Sequence, residues 1–192
     1  MRKLLATALL FPLIACGPVL PGASLPLDAV QGGGDPMRAA IYASSYAFNN
    51  PGGLADPAVA ARASAQVEYL AVNVPIDPRY SFTPTLAGQL AAARDELHAA
   101  LGVAATAPPQ AVVEGLYGAS RALSALNPGA AADALSPAVF PNRQLTLARL
   151  SAPGPLPLTA VATAQAEREQ LRFEQERVNN NSGGDSSGGR SP

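Results

Sequence analysis

Apolar residues recur through the middle of the chain at intervals of three and four. Met37, Ile41, Ser44 and Phe48 follow this spacing, as do Val59, Ala63, Val67, Leu70 and Val74. Leu86, Leu90, Ala93, Leu97 and Leu101 form the most regular stripe, with Gln89, Arg94, Asp95, Glu96 and His98 opposite or beside it. Val112, Leu116, Ala119, Leu123 and Leu126 form a fourth, stopped by Asn127. A stripe of this period covers one face of an α-helix, whereas a half-buried strand alternates every second residue. The pattern predicts an all-α fold, a small multi-helix bundle. The most strand-like piece, 69–74, fits the end of a helix equally well.

Start signals reinforce the periodicity. Asp35-Pro36, Asp56-Pro57, Thr83-Pro84, Asn127-Pro128 and Ser136-Pro137 each place a capping side chain before a proline. The cap oxygen accepts from an orphan N–H of the first turn, and proline at the first helical position gives up a donor that had no partner. Gly102 stands where a glycine ends a helix in the left-handed conformation. Residues 128–151 read as two short helices broken at Pro137 and Pro141. The helical domain is therefore expected over 35–151. A proline-rich break follows at 152–157, then one long helix to residue 178. The first half of that helix is alanine-rich. Its second half, 167–177, is charged and expected to project from the body, with Glu169–Arg172, Arg172–Glu176 and Glu174–Arg177 as weak surface pairs. Leu171 and Phe173 do not share a face, which argues against a long coiled-coil seam. Residues 179–192 are asparagine, serine and glycine and are expected to be a disordered tail.

Composition changes the picture mainly at the front of the chain. Of 192 residues, 48% are hydrophobic but only 5% aromatic, and tryptophan is absent, so the core must be built from small residues packed helix on helix. Thirteen basic and 14 acidic side chains exclude a basic nucleic-acid surface as the main theme. There is a single cysteine, Cys16, which excludes an intramolecular disulfide framework and a cysteine-based zinc site. Arg2 and Lys3 precede an apolar run over 4–13, the size of a signal-peptide core and too short to span a bilayer. The run ends Leu13-Ile14-Ala15-Cys16.

These sixteen residues resemble the lipobox signal of bacterial lipoproteins. The resemblance implies that 1–15 are a cleaved signal peptide, that Cys16 carries the lipid, and that the protein faces the periplasm from a membrane. Gly17, where an aspartate would be the usual inner-membrane retention signal in enteric bacteria, implies the outer membrane rather than the inner one. An ordinary secretory signal accounts for the charge and the apolar run but not for the position of the only cysteine. Two or more acyl chains hold a protein stably at a membrane. Cleavage would also remove Arg2 and the only lysine, Lys3, leaving a more acidic protein that anionic lipid does not attract. Residues 16–34 carry Pro18, Pro21, Pro26 and the run 32–34 of glycine, and read as a flexible tether from which Leu25, Leu27 and Val30 could pack back.

Candidate chemistry is sparse. The single histidine, His98, has Asp95 one turn before it, but no nucleophile elbow or Ser-x-x-Lys motif accompanies it, and it reads as a solvent-facing residue. One histidine and scattered carboxylates do not make a metal site. The glycines of 32–34 lack the strand, spacing and lysine of a phosphate loop, and no cofactor is implied. Two groups remain as candidate interaction residues. Arg79, Tyr80 and Phe82 sit among prolines in the loop joining two helices, and arginine and aromatics are the residue types that anchor interfaces. Tyr42, Tyr46 and Tyr69 could line a groove, although such rings often bury at a core margin with the hydroxyl wet. The expected role is non-catalytic: a membrane-anchored interaction or scaffolding protein of the cell envelope with an envelope protein as partner and no nucleic acid. The alternative is a periplasmic binding module for a small apolar or envelope-derived ligand, held near those three tyrosines.

Overall fold

The structure, a computed structural model, describes residues 21–30 and 34–182. Cys16 and the lipobox lie outside the described residues. Among those described there are seven α-helices and no strand: α1 (Pro36–Asn49), α2 (Pro57–Asn73), α3 (Pro84–Leu101), α4 (Pro109–Ser124), α5 (Pro128–Ala134), α6 (Arg143–Ser151) and α7 (Pro157–Ser182). In the segment 69–74, residues 69–73 are the end of α2 and Val74 is its C-cap. No described helix is long and apolar enough to cross a membrane.

Four of the five cap-proline pairs open helices. Asp35 accepts from Met37 N at 2.9 Å, Asp56 from Ala58 N at 2.8 Å, Thr83 from Leu86 N at 3.3 Å and Asn127 from Ala130 N at 3.0 Å. Ser136-Pro137 does not. There the Ser136 carbonyl accepts from Val139 N and Phe140 N, closing a turn that drops Phe140 fully into the core. The second short helix starts later, where Asn142 accepts from Leu145 N at 3.0 Å. The helix α4 opens at a Pro108-Pro109 step with no side-chain cap.

At the centre lies α2, which packs against α1, α3, α4 and α6. It is buried nearly all round, from Ala58 through Val72, rather than along one stripe. Its alanines at 58, 60, 61, 63, 65 and 71 allow neighbours to approach from every side, so small size substitutes for hydrophobic bulk. On the opposite face of the bundle α7 packs across α1 and α3. Ser120 Oγ, buried between helices, donates to Ala58 O at 2.7 Å, whereas the buried Tyr117 hydroxyl has no hydrogen-bond partner among the described residues.

Five expectations are corrected. The charged half of α7 does not project at residue 167: Glu169 and Gln170 are buried, and exposure becomes continuous only from Gln175. Glu174 pairs with Arg38 at 2.7 Å rather than with Arg177, while the Glu169–Arg172 and Arg172–Glu176 pairs form at 3.9 and 3.8 Å. Residues 179–182, expected in the tail, continue the helix. Residues 21–30 of the expected tether lie on the body. Ala23 is buried, Leu25 packs on the core, Ser24 N donates to Gln110 at 2.7 Å, and Arg121 pairs with Asp28 at 2.8 Å, while Leu27 is fully exposed. Leu126 does not extend the α4 stripe. It is 91% exposed and takes φ 55° just beyond the helix.

Candidate functional site

The loop after α2 is organised by short polar side chains. Asn73 donates to Ala23 O at 2.9 Å and to Tyr69 O at 2.8 Å, tying the incoming chain to the end of α2. Asp77 accepts from the backbone N–H of Arg79 at 3.0 Å, an Asx turn, and holds its guanidinium at 2.6 Å. That guanidinium keeps the Asp77 carboxyl below its ordinary value against an opposing push from burial. The turn aims Tyr80 at the start of α1, where its hydroxyl donates to Asp35 Oδ2 at 2.6 Å. Asp35 thus uses one carboxylate oxygen to cap α1 and the other to fix the loop, with Arg79 3.7 Å away. Burial and the Asp35 carboxylate together raise the Tyr80 phenol well above the usual tyrosine value.

Aromatic rings extend this junction to α7. Tyr80 stacks on Phe82 at 4.9 Å between centroids and leans on Phe173 at 5.0 Å. Arg177 lies over the Phe173 ring at 5.7 Å from its centroid. One turn along, Glu174 Oε1 accepts from Arg38 at 2.7 Å, Tyr42 at 3.2 Å and Gln170 at 2.7 Å. Burial raises the Glu174 pKa, but these hydrogen bonds outweigh it and hold the carboxyl below its ordinary value. Between the start of α1, Tyr80 and α7 runs an open groove of about 470 Å³. Gln170 on its floor has a buried Oε1 with no hydrogen-bond partner among the described residues. On its rim, Arg177 has no carboxylate within ion-pair distance among the described residues, whereas Arg38 and Arg79 are paired.

Of the six interaction residues expected from sequence, Arg79, Tyr80 and Phe82 meet in this junction and Tyr42 joins it through Glu174. Tyr69 is buried in α2, its hydroxyl pKa raised by burial and by the Asp35 and Asp77 carboxylates. Tyr46 is 66% exposed and takes no part in these contacts. Sequence reading missed Asp35, Arg38, Gln170, Phe173, Glu174 and Arg177. Arg38 and Glu174 are 136 residues apart, and no local pattern pairs them.

His98 is not solvent-facing. Its Nε2 lies 2.7 Å from Glu68 Oε2, and Arg94 Nε donates to the other Glu68 oxygen at 2.8 Å. Glu68 is only 3% exposed, so this is a charged clasp between α2 and α3 rather than a surface feature. Asp95 is not its partner. No cluster of three or more metal-capable side chains occurs among the described residues.

A second concavity, of about 240 Å³, lies where the end of α1, the start of α2, the end of α3, α6 and the loop before α7 meet. Its walls are mostly apolar, with Phe48, Leu97, Leu101, Leu150 and Leu156 among them. None of Tyr42, Tyr46 and Tyr69 reaches it, so the apolar cavity and the tyrosines expected to line one are in different places.

Compared with known protein families, with curated proteins and with solved structures, the chain matches none.

Proposed function

We propose that the protein is a lipid-anchored cell-envelope protein that works by binding another protein, with the α1–α7 junction as its docking surface and no catalytic step. Lipid attachment at Cys16 rests on the lipobox resemblance, and the outer membrane is the proposed location. The observation that supports docking is Arg177. It is a guanidinium without a carboxylate partner among the described residues, set over the Phe173 ring of the aromatic cluster and lining an open groove. Beyond it α7 continues to Ser182, and every residue from Gln175 to Asn181 is exposed, which offers a partner a helical edge. Arginine beside aromatic rings is the combination that concentrates binding energy at interfaces, and the unmatched charge selects a partner with an acidic contact segment.

The test is cross-linked recovery from native membranes of three proteins: the intact chain, a chain ending at residue 174, and Arg177→Glu. The truncation begins at 175 because cutting at 167 would remove Glu169 and Gln170 from the core. A stoichiometric partner recovered by the intact chain and lost with both variants supports the reading. Equal recovery with Arg177→Glu, or no partner from the intact chain, refutes it. In the same membranes, Cys16→Ser should block lipidation and maturation, leaving the chain at its unprocessed mass and changing its membrane fractionation. Unchanged mass and fractionation would remove the anchor.

A further inference from the structure

The cavity at the far end of the bundle has a polarity that points to one class of ligand. The carbonyls of the last turn of α3 are engaged one by one. His98 O accepts from Gly102 N and Val103 N at 2.9 Å. Ala99 O and Ala100 O accept from Arg149 Nη1 at 3.2 and 2.7 Å. Leu101 O accepts from Thr146 Oγ1 at 2.8 Å. Ser64, on the α2 side of the cavity, donates its hydroxyl proton to Ala60 O at 2.8 Å. No backbone carbonyl at this helix end is left needing a donor from a ligand. The remaining capacity belongs to Arg149. Among the described residues only Nη1 of its guanidinium makes a hydrogen bond and no carboxylate lies within ion-pair distance, and the side chain lines the cavity. A guanidinium has five donors in a planar fork, so Nε and Nη2 are left to receive an anion.

We propose that this cavity binds a medium-chain carboxylate, with its alkyl chain among Phe48, Leu97, Leu101 and Leu150 and its head group on Arg149. At roughly 30 Å³ for each water-sized group, 240 Å³ accepts about eight carbon-sized groups. That is the length of octanoate rather than of a membrane phospholipid chain. The inference is independent of the docking surface, which lies at the opposite end of α3.

The test is NMR titration with octanoate, octanol and octylamine. The protein is the intact chain carrying Cys16→Ser, so that no acyl group at residue 16 competes. Octanoate is expected to bind saturably, with contacts from its terminal methyl to Leu97 and Leu150. Its affinity should exceed that of octanol at least threefold and that of octylamine at least tenfold. Arg149→Gln should weaken octanoate at least fivefold and leave octanol unchanged. Because Arg149 also caps α3, that variant could lose its fold. In that case the order of the three ligands on the arginine-containing protein, together with the location of the methyl contacts, decides the matter. Octylamine binding as tightly as octanoate, methyl contacts outside the cavity, or no saturation below the micelle-forming concentration would each overturn the proposal.

Discussion

The helices α3 and α7 run antiparallel and each caps the other. Glu169 of α7 reaches the first turn of α3, accepting from Thr83 N at 2.8 Å and Thr83 Oγ1 at 2.6 Å. Glu96 of α3 reaches the first turn of α7, accepting from Leu158 N at 3.1 Å, Thr159 N at 2.8 Å and Thr159 Oγ1 at 2.7 Å. Each carboxylate satisfies orphan N–H groups and sits at the positive end of a helix dipole. A hydrogen bond to a charged group contributes about 1.5–3 kcal/mol net. Glu169, only 5% exposed, makes two to Thr83, but the freed N–H lies at a helix end where water can reach it. Glu169→Ala should therefore cost about 2–3 kcal/mol, and Glu96→Ala, at a wetter site, about 1–2 kcal/mol. At about 2–4 °C per kcal/mol for a chain of this size, the first lowers the melting temperature by about 4–12 °C. The two sites are about 20 Å apart along α3, so the double variant should show the sum within about 0.5 kcal/mol. Urea unfolding followed by circular dichroism at pH 7 measures all three. The pH dependence has a definite sign. Burial pushes the Glu169 carboxyl up, but the Thr83 and Gln165 hydrogen bonds prevail and hold it below 4.5 in the folded protein. The folded state then binds fewer protons than the unfolded state near that pH. The Glu169 contribution is complete above pH 4.5 and is lost as pH falls through the folded value, so wild type and Glu169→Gln should converge in acid. A cost below about 0.5 kcal/mol for Glu169→Ala, or a gap from Glu169→Gln that does not narrow as the pH is lowered, would refute the reciprocal capping.

Five further substitutions probe a helix end, two glycine positions and the buried clasp. At the end of α4, Leu126 N donates to Leu123 O and Asn127 N to Ala122 O, a Schellman ending with leucine at φ 55° where glycine is the usual residue. Leu126 is 91% exposed, so Leu126→Gly should stabilise by about 1 kcal/mol in urea unfolding. A Cβ on Gly118 would come 2.9 Å from Ala134 Cβ, whereas one on Gly88 meets nothing within 4 Å. Gly88→Ala should therefore raise stability by about 0.5–1 kcal/mol, and Gly118→Ala should lower it by about 1–3 kcal/mol, both read from denaturant midpoints at constant slope. Glu68→Ala should cost about 3 kcal/mol by leaving Arg94 and His98 without their shared carboxylate, while Asp95→Ala on the exposed side should change stability by less than about 0.5 kcal/mol. Thermal melts of the pair distinguish a clasp from a surface charge.

What was legible in the sequence was local. A capping side chain and a proline determine a helix start within a few residues, so Asp35, Asp56, Thr83 and Asn127 could be read directly. Ser136 shows the limit of that signal, because a capping residue before proline also suits a turn, and the burial of Phe140 beside Gly115 decides between them. The interaction residues divide in the same way. Arg79, Tyr80 and Phe82 share one loop and could be grouped by eye, whereas Asp35, Gln170, Phe173 and Arg177 enter through the packing of helices far apart in sequence.

The clearest failure concerned α7, and its cause is physical. Its inner face reads Thr159, Ala162, Ala166, Gln170 and Phe173, at steps of three and four, and all but Phe173 are buried. This is a regular helical stripe, but it is composed of small and polar residues, so hydropathy does not reveal it. Such a face can be buried only if its polar groups find partners, and the bundle supplies them. Thr159 is held by Glu96, Thr163 receives Asn49, Glu167 receives Ser45, Glu169 receives Thr83 and Glu174 receives Arg38. The charged run looked solvated because charges in a helix usually are. In this helix three of its carboxylates are instead the means by which it docks. The residues that do face water, Arg168, Arg172, Gln175, Glu176 and Arg177, are those with few or no partners on the body. A charged helix in a chain with few charges is thus divided into a structural side and a side still available for recognition, and Arg177 lies on the second.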